Sequence, residues 1–221
     1  GDITFEEIIT YIAQRKKPVL LATGASSMSD VEQAVNTILA HNKDIVLMQC
    51  NTNYTGSLEN FHHINLNVLN TFKQKYPGMV LGLSDHTPGD TSVLGSIALG
   101  ARVIEKHYTD DNSRKGPDHG FSMNPKSWRE MVDRSREIEA ALGDGVKIIE
   151  ENEKESVILQ RRSMRATRDL SVGHTIGRND IEALRPAPTD SFTPYETSEL
   201  IGKKMKTAKS QGEAIFKTDL G

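Results

Sequence analysis

Short apolar runs alternate with helical patterns over the first two thirds of this 221-residue chain, and that beat restricts the fold more than any other feature. "TFEEIITYIAQRKK" carries Phe5, Ile8, Ile9 and Ile12 at helical spacing. "PVLLATG" follows as a short apolar run closed by glycine. "SMSDVEQAVNTILAHN" puts Val31, Ala34, Val35, Ile38 and Leu39 on one face, and Ser29 with Glu32 three residues on reads as a capping box. "DIVLMQC", "MVLGLSD" and "ARVIEKHYT" read as further strands. "LNVLNTFKQKYP", "DTSVLGSIALG" and "NPKSWREMVDRSREIEAALG" read as the helices around them. Continuous apolar strands alternating with helices predict a parallel sheet buried on both faces, with right-handed crossovers. Four strands in sequence order with no reversal signal favour a (β/α) barrel over a doubly wound sheet. Such a barrel needs eight strands and about 250 residues. The fold class read here is therefore α/β, the second half of a (β/α)8 TIM-type barrel whose first half is not in this chain.

Near residue 144 the beat stops. "GDGVKIIEENEKESV" is a charged joint, and the apolar runs beyond it are short and punctuated by glycine and proline. The expected organisation is a half barrel over 1–145, a linker over 146–159, and a small β-rich domain over 160–221.

Composition excludes several function classes. With 27 basic and 30 acidic residues, the net charge of -3 leaves no electrostatic footprint for nucleic acid. Arg161, Arg162 and Arg165 read as a solvated face. No run approaches the ~20 apolar residues of a membrane span, and "GDITFEEIIT" is acidic and polar where a signal peptide would be basic and then apolar. The single cysteine, Cys50, permits no intrachain disulfide and no cysteine-based zinc site, which fits a reducing, cytoplasmic setting.

In a parallel β/α array every strand ends on the same face, and reactive groups collect there. That face should gather "ATGASS", "CNTNYT", "SDHT", "KHYTDD" and the long loop "DDNSRKGPDHGFSMN". His86 and His107 follow successive strands, which lie about 4.8 Å apart, so two imidazoles can share one metal ion. Glu105, two residues before His107, points to the same side and could orient a metal-bound water. Spacing alone leaves the alternative open: His86 caps a helix and His107 bonds a carbonyl. "ATGASS" offers free backbone N–H groups and a helix dipole to an anion, or is a tight turn. Ser84 adds a hydroxyl beside His86. In the long loop, Arg114, Lys115 and Asp118 could grip a polyhydroxylated ligand, unless the loop is mobile and solvated. His119 is an extra ligand or, more simply, a loop residue facing solvent, and His62 and His63 read as helix-entry residues rather than metal ligands. Lys106 should point away from His107.

Taken jointly, "GLSDHT", "IEKHYTDD…KGPDHGFSMNP" and a late "LRPAP" resemble the sialic acid (N-acetylneuraminate) synthase family, which includes bacterial legionaminic and pseudaminic acid synthases. The resemblance runs over essentially the whole chain. It implies a (β/α)8 barrel followed by a small domain like type III antifreeze proteins. It also implies condensation of phosphoenolpyruvate with an N-acetylated hexosamine such as N-acetylmannosamine, assisted by a divalent metal, usually Mn2+, with Mg2+ or Co2+ as alternatives. By resemblance His86 and His107 are the metal ligands, Ser84 a phosphoenolpyruvate contact, and Tyr54 and Asp118 sugar-binding residues. Thr52 sits near the phosphoenolpyruvate carboxylate. Arg185 matches an arginine that reaches from the small domain into a partner's site, which implies a domain-swapped homodimer. Glu105 and Asp118 are the candidate catalytic residues. Ala22 stands where many members have a phosphate-binding serine, so Thr23, Ser26 or backbone groups must serve, and "RPAP" departs from the common Arg-Pro-Gly. The family's phosphate-gripping lysines lie on early strands, so this stretch by itself is expected to bind metal poorly and not to catalyse. Two other readings remain: a different metal-dependent barrel aldolase or isomerase, and a non-catalytic glycan-binding module.

Overall fold

The computed structural model describes residues 2–221, which divide into two compact units meeting at residues 145 and 146. In the first unit, α1 (Glu6–Ala13) leads into β1 (Val19–Ala22), α2 (Met28–Leu39), β2 (Ile45–Cys50), α3 (Val68–Lys75), β3 (Val80–Asp85), α4 (Thr91–Ala98), β4 (Ala101–Lys106) and α5 (Pro125–Ala141). The four strands form one parallel sheet in the order β1-β2-β3-β4, the arc of a half barrel.

Side-chain alternation divides the sheet into two faces. Leu21, Leu47 and Leu81 pack toward the helices with Val35, Ile38, Leu69 and Phe72, and Leu83 packs with Val93 and Ile97 of α4. Of these, Leu47 and Leu69 are fully sequestered and Phe72 is 1 % exposed. The opposite, concave face is not sealed in the same way. Leu20, one residue from the buried Leu21, is 55 % exposed. The concave face of the four-strand arc is thus open at β1 and closed at β2, where Met48 is fully buried.

Helix starts are set by local chemistry. The capping box on α2 is Ser27 with Asp30 rather than Ser29 with Glu32. The Ser27 N–H donates to Asp30 Oδ2 at 2.7 Å, and the Asp30 N–H donates back to Ser27 Oγ at 3.4 Å. The box thus opens two residues earlier than expected, and Ser29 instead meets the Ser27 hydroxyl. α5 starts on a reciprocal Asn124–Ser127 pair, with Pro125 at its first position, where its missing N–H costs nothing.

In the second unit the stretch read as a charged joint is partly helical. Residues 151–153 make one 3-10 turn, and α6 (Lys154–Gln160) follows. The Ala187 N–H donates to the Ile158 carbonyl, which ties the end of α6 to its own unit. Beyond it, β5 (Ser163–Ala166) pairs antiparallel with β6 (Ile181–Leu184), and α7 (Thr197–Leu200) completes the unit. The core is Met164, Leu170, Ile176, Leu200, Met205 and Ile215, joined by Ile181 and Phe192. Arg165 departs from the solvated reading of the arginine cluster. It is half-buried, and its guanidinium donates to the carbonyls of Gly212 and Pro186, both at 2.8 Å. Among the described residues, no helix is long and apolar enough to cross a membrane.

Candidate active site

The register builds the site floor. Cys50 of β2, Ser84 of β3 and Glu105 of β4 are successive register partners, and alternation places them on the concave face. Ser84 is buried, whereas Glu105 is exposed on the open side of the arc. One step beyond the last register pair, Asp85 with Lys106, stand His86 and His107. Their rings meet edge to face with centroids 5.1 Å apart.

The Tyr54 ring packs against both, 4.4 Å from His86 and 5.5 Å from His107, and Phe121 lies 5.1 Å from His107 on another side. His86 Nδ1 is 3.0 Å from the Asn51 carbonyl. A carbonyl only accepts, so Nδ1 carries the proton and Nε2 of the neutral ring presents a lone pair. Burial pushes the His86 imidazole below its ordinary pKa, and His107 acts in the same sense against the Asn51 carbonyl, so the ring is neutral near pH 7. Asp118 Oδ2 lies 3.5 Å from His107 Nδ1.

Two loops carry these groups, and both are ordered by asparagines. Asn53 Oδ1 accepts from the Thr55 N–H and hydroxyl and from the Asn60 amide, which shapes the turn bearing Tyr54. Asn112 donates to the carbonyls of His119 and Ser122, and its own Oδ1 accepts from Asn124. The loop over 110–124 is thereby tied down rather than left to solvent. Its His119 is not solvent-facing as expected: Nδ1 is 2.7 Å from the Thr109 hydroxyl, and the ring packs beside Gly116. Gly56, at φ +64°, lets the Tyr54 loop touch Phe121, where a Cβ would come within 2.6 Å of the Phe121 Cβ.

The remaining expected residues fall as follows. Thr23 is buried and its hydroxyl donates to the Met48 carbonyl at 2.9 Å, while the Ser26 hydroxyl donates to the Thr23 carbonyl. Neither hydroxyl proton is spare, so an anion at "ATGASS" would meet backbone N–H groups there. Gly24 presses on Thr52, which stands exposed at the end of β2; a Cβ on Gly24 would lie 1.8 Å from Thr52 Oγ1. Arg114 is exposed, and its guanidinium donates to Asp110 Oδ1 at 2.8 Å. Arg185 belongs to the second unit, where its Nε donates to the Gln160 carbonyl at 2.6 Å. Lys106 points away from His107, as the alternation predicts. Sequence reasoning missed Asn51, Asn53, Asn112 and Phe121. For the asparagines the available signal was the two Asn of "CNTNYT" and the Asp-Asp-Asn run of "TDDNSRK", since Asn and Asp order turns.

Among the described residues, no group of three or more His, Cys, Asp or Glu side chains is arranged to hold a metal ion. His86 and His107 nevertheless suit a divalent ion in part. They bring two rings to adjacent strand ends, and His86 is already in the tautomer that frees Nε2. Water or substrate oxygens would fill the other positions.

Comparison with known proteins bears on the chain as a whole. An uncharacterized Methanocaldococcus jannaschii protein is 36 % identical over 222 residues, covering 100 % of this chain and 64 % of its own length. The N,N'-diacetyllegionaminic acid synthase of Campylobacter jejuni is 33 % identical over 206 residues, with 92 % of this chain and 60 % of the relative covered. The chain thus spans about three fifths of the length of the curated relatives it matches. A crystal structure of the N-acetylneuraminic acid synthetase of Leptospira borgpetersenii in complex with citrate superposes with a TM-score of 0.64 at 31 % identity, covering 71 % of this chain and 53 % of that one. A protein assigned to spore coat polysaccharide biosynthesis in Chromobacterium violaceum superposes with a TM-score of 0.70 at 26 % identity, over 100 % and 65 % of the two chains. Residues 161–221 match the SAF domain, and residues 1–147 match the NeuB family; the chain belongs to the NeuB family.

Proposed function

We propose that the protein carrying this chain is a nonulosonic acid synthase, condensing phosphoenolpyruvate with an N-acetylated hexosamine and releasing phosphate. The observation that carries the reading is the joining of His86, His107, Tyr54 and Asp118 at the ends of β3 and β4 and in their neighbouring loops, in a chain whose relatives include synthases of this kind. Carbon 3 of the enol attacks the aldehyde carbon of the open-chain sugar. Positive charge develops at carbon 2, water adds there, and phosphate departs with its C–O bond. His86 and His107 would hold a divalent ion, Mn2+ by preference, and such an ion supplies Lewis acidity toward the aldehyde oxygen.

The chain's own groups do the positioning. Asp118 is half-exposed, and its carboxylate accepts from sugar hydroxyls so that the aldehyde meets the enol at reacting distance. Tyr54 and Phe121 wall the histidines and limit water. Ser84 offers its hydroxyl from the floor to phosphoenolpyruvate, with Thr52 nearby on the next strand end. Glu105 is the register partner of Ser84, and in this reading it orients the attacking water and takes its proton. Arg185 acts on the partner's site in a domain-swapped homodimer, and the protein works in the cytoplasm.

The test is phosphate release from phosphoenolpyruvate by the natural protein that carries this chain. Release should require both an N-acetylated hexosamine and Mn2+. Absence of release with every N-acetylated hexosamine tried would remove the proposal.

A further inference from the structure

Directly behind the two histidines lies a buried ion pair that the proposed reaction does not use. Lys106 Nζ is 2.7 Å from Asp85 Oδ2, with the side chains 1 % and 0 % exposed. The same ammonium donates to the Thr87 carbonyl at 2.6 Å. Asp85 in turn accepts the Thr87 N–H at 3.0 Å and the Thr87 hydroxyl at 2.9 Å. These residues are the sequence neighbours of the histidines: Asp85 and Thr87 flank His86, and Lys106 precedes His107. One cluster on the helix-facing side therefore joins the backbone on both sides of His86 to the residue that leads into His107.

We infer that Lys106 and Asp85 are positioning residues, a clamp that sets the separation of the His86 and His107 imidazoles. The reasoning is geometric. Both histidines lie past the last register pair of β3 and β4, where the sheet ladder no longer fixes spacing. On the concave side the rings meet each other, Tyr54, Phe121, the Asn51 carbonyl and, from the loop, the Asp118 carboxylate, none of which joins one strand end to the other. The polar contact that ties the two strand ends to each other at this level is the Lys106 ammonium, bridging Asp85 and Thr87 across the gap. Two ring nitrogens share an ion only at a narrow spacing, so a fixed strand-end separation is what a two-histidine site needs. The function assigned to the clamp, cation affinity, rests on the metal reading above; its effect on ring spacing does not.

The experiment uses the natural protein that carries this chain, as wild type, Lys106→Met and the neutralised double variant Asp85→Asn/Lys106→Met. The double variant removes the buried unpaired charge that could unfold the single one. Metal-free crystal structures read the ring separation, and calorimetry reads Mn2+ affinity. In the double variant the rings should part or shift by about 1 Å or more, and Mn2+ should bind at least about tenfold more weakly, while thermal stability stays close to wild type. Rings held at 5.1 Å, or unchanged Mn2+ affinity with displaced rings, would overturn the inference. A wild type that binds no Mn2+, with rings displaced in the variants, would sink the metal reading and leave the clamp standing.

Discussion

Removing the Lys106 charge alone should cost far more stability than removing it together with the Asp85 charge. At 2.7 Å, an effective dielectric near 20 makes the pair attraction about 6 kcal/mol. Both side chains are out of water, so desolvation of several kcal/mol per ion offsets most of that gain. The pair as a whole is thus close to neutral in stability. The intermediate states are not. Lys106→Met leaves a carboxylate at 0 % exposure held only by Thr87, and Asp85→Asn leaves an ammonium at 1 % exposure facing an amide and a carbonyl. Each should destabilise the first unit by about 3–5 kcal/mol, a large share of an ordinary domain's 5–15 kcal/mol. The double variant loses the ammonium's bond to the Thr87 carbonyl, so it should sit within about 2 kcal/mol of wild type. The resulting coupling energy is about 4 kcal/mol or more in magnitude. Urea unfolding followed by Trp128 fluorescence measures it, because that ring lies in α5, edge-on to Tyr108 at 5.6 Å. Single costs that add to the double cost within about 0.5 kcal/mol would refute the reasoning, since independent sites add.

Other outcomes follow from the same geometry. His86→Ala or His107→Ala should lower phosphate release about 100-fold, the equivalent of a lost Lewis-acid contribution of about 3 kcal/mol, with the fold kept by circular dichroism. Asp118→Asn should raise KM for the amino sugar while leaving KM for phosphoenolpyruvate near wild type, as steady-state kinetics would show. Gly24→Ala should destabilise by about 1–3 kcal/mol in urea unfolding, because its methyl group would meet Thr52 Oγ1 at 1.8 Å and Cys50 Sγ at 2.9 Å. In the second unit, hydrogen bonds from His174, Gly177 and Arg168 hold the Asp180 carboxyl down at about 2, against 3.8 ordinarily. A depressed carboxyl stabilises above its unfolded value and loses that contribution as pH falls through the folded one. Asp180→Asn should therefore cost at most about 2 kcal/mol at pH 7, and its gap from wild type should close between about pH 5 and 2 in amide-exchange measurements.

The α/β alternation was legible because periodicity is a local property. Strands with period two and helices with period 3.6 show in windows of a dozen residues, and every element expected in the first unit is present with ends trimmed by at most four residues. Boundaries were less legible where capping depends on competing side chains. Ser27 took the cap of α2 because Asp30 could return the bond to its N–H, and nothing in "SMSDVEQ" ranks it above Ser29 with Glu32. The helix α6 was hidden by charge, since "EENEKESVILQ" resembles a solvated linker in composition.

The candidate site divides along the same line. By itself the sequence determined that His86, His107, Ser84 and Glu105 would share one face, because strand alternation and parallel topology require it. Only the tertiary structure decided that Tyr54 and Phe121 wall the two rings, that Asn51 sets the His86 tautomer, and that Asn112 orders the 110–124 loop. It alone showed that Lys106 and Asp85 form a buried ion pair behind the histidines. The reason is range: alternation is carried by adjacent peptide units, whereas those contacts join loops and strands 20 or more residues apart, or turns whose path no periodicity encodes.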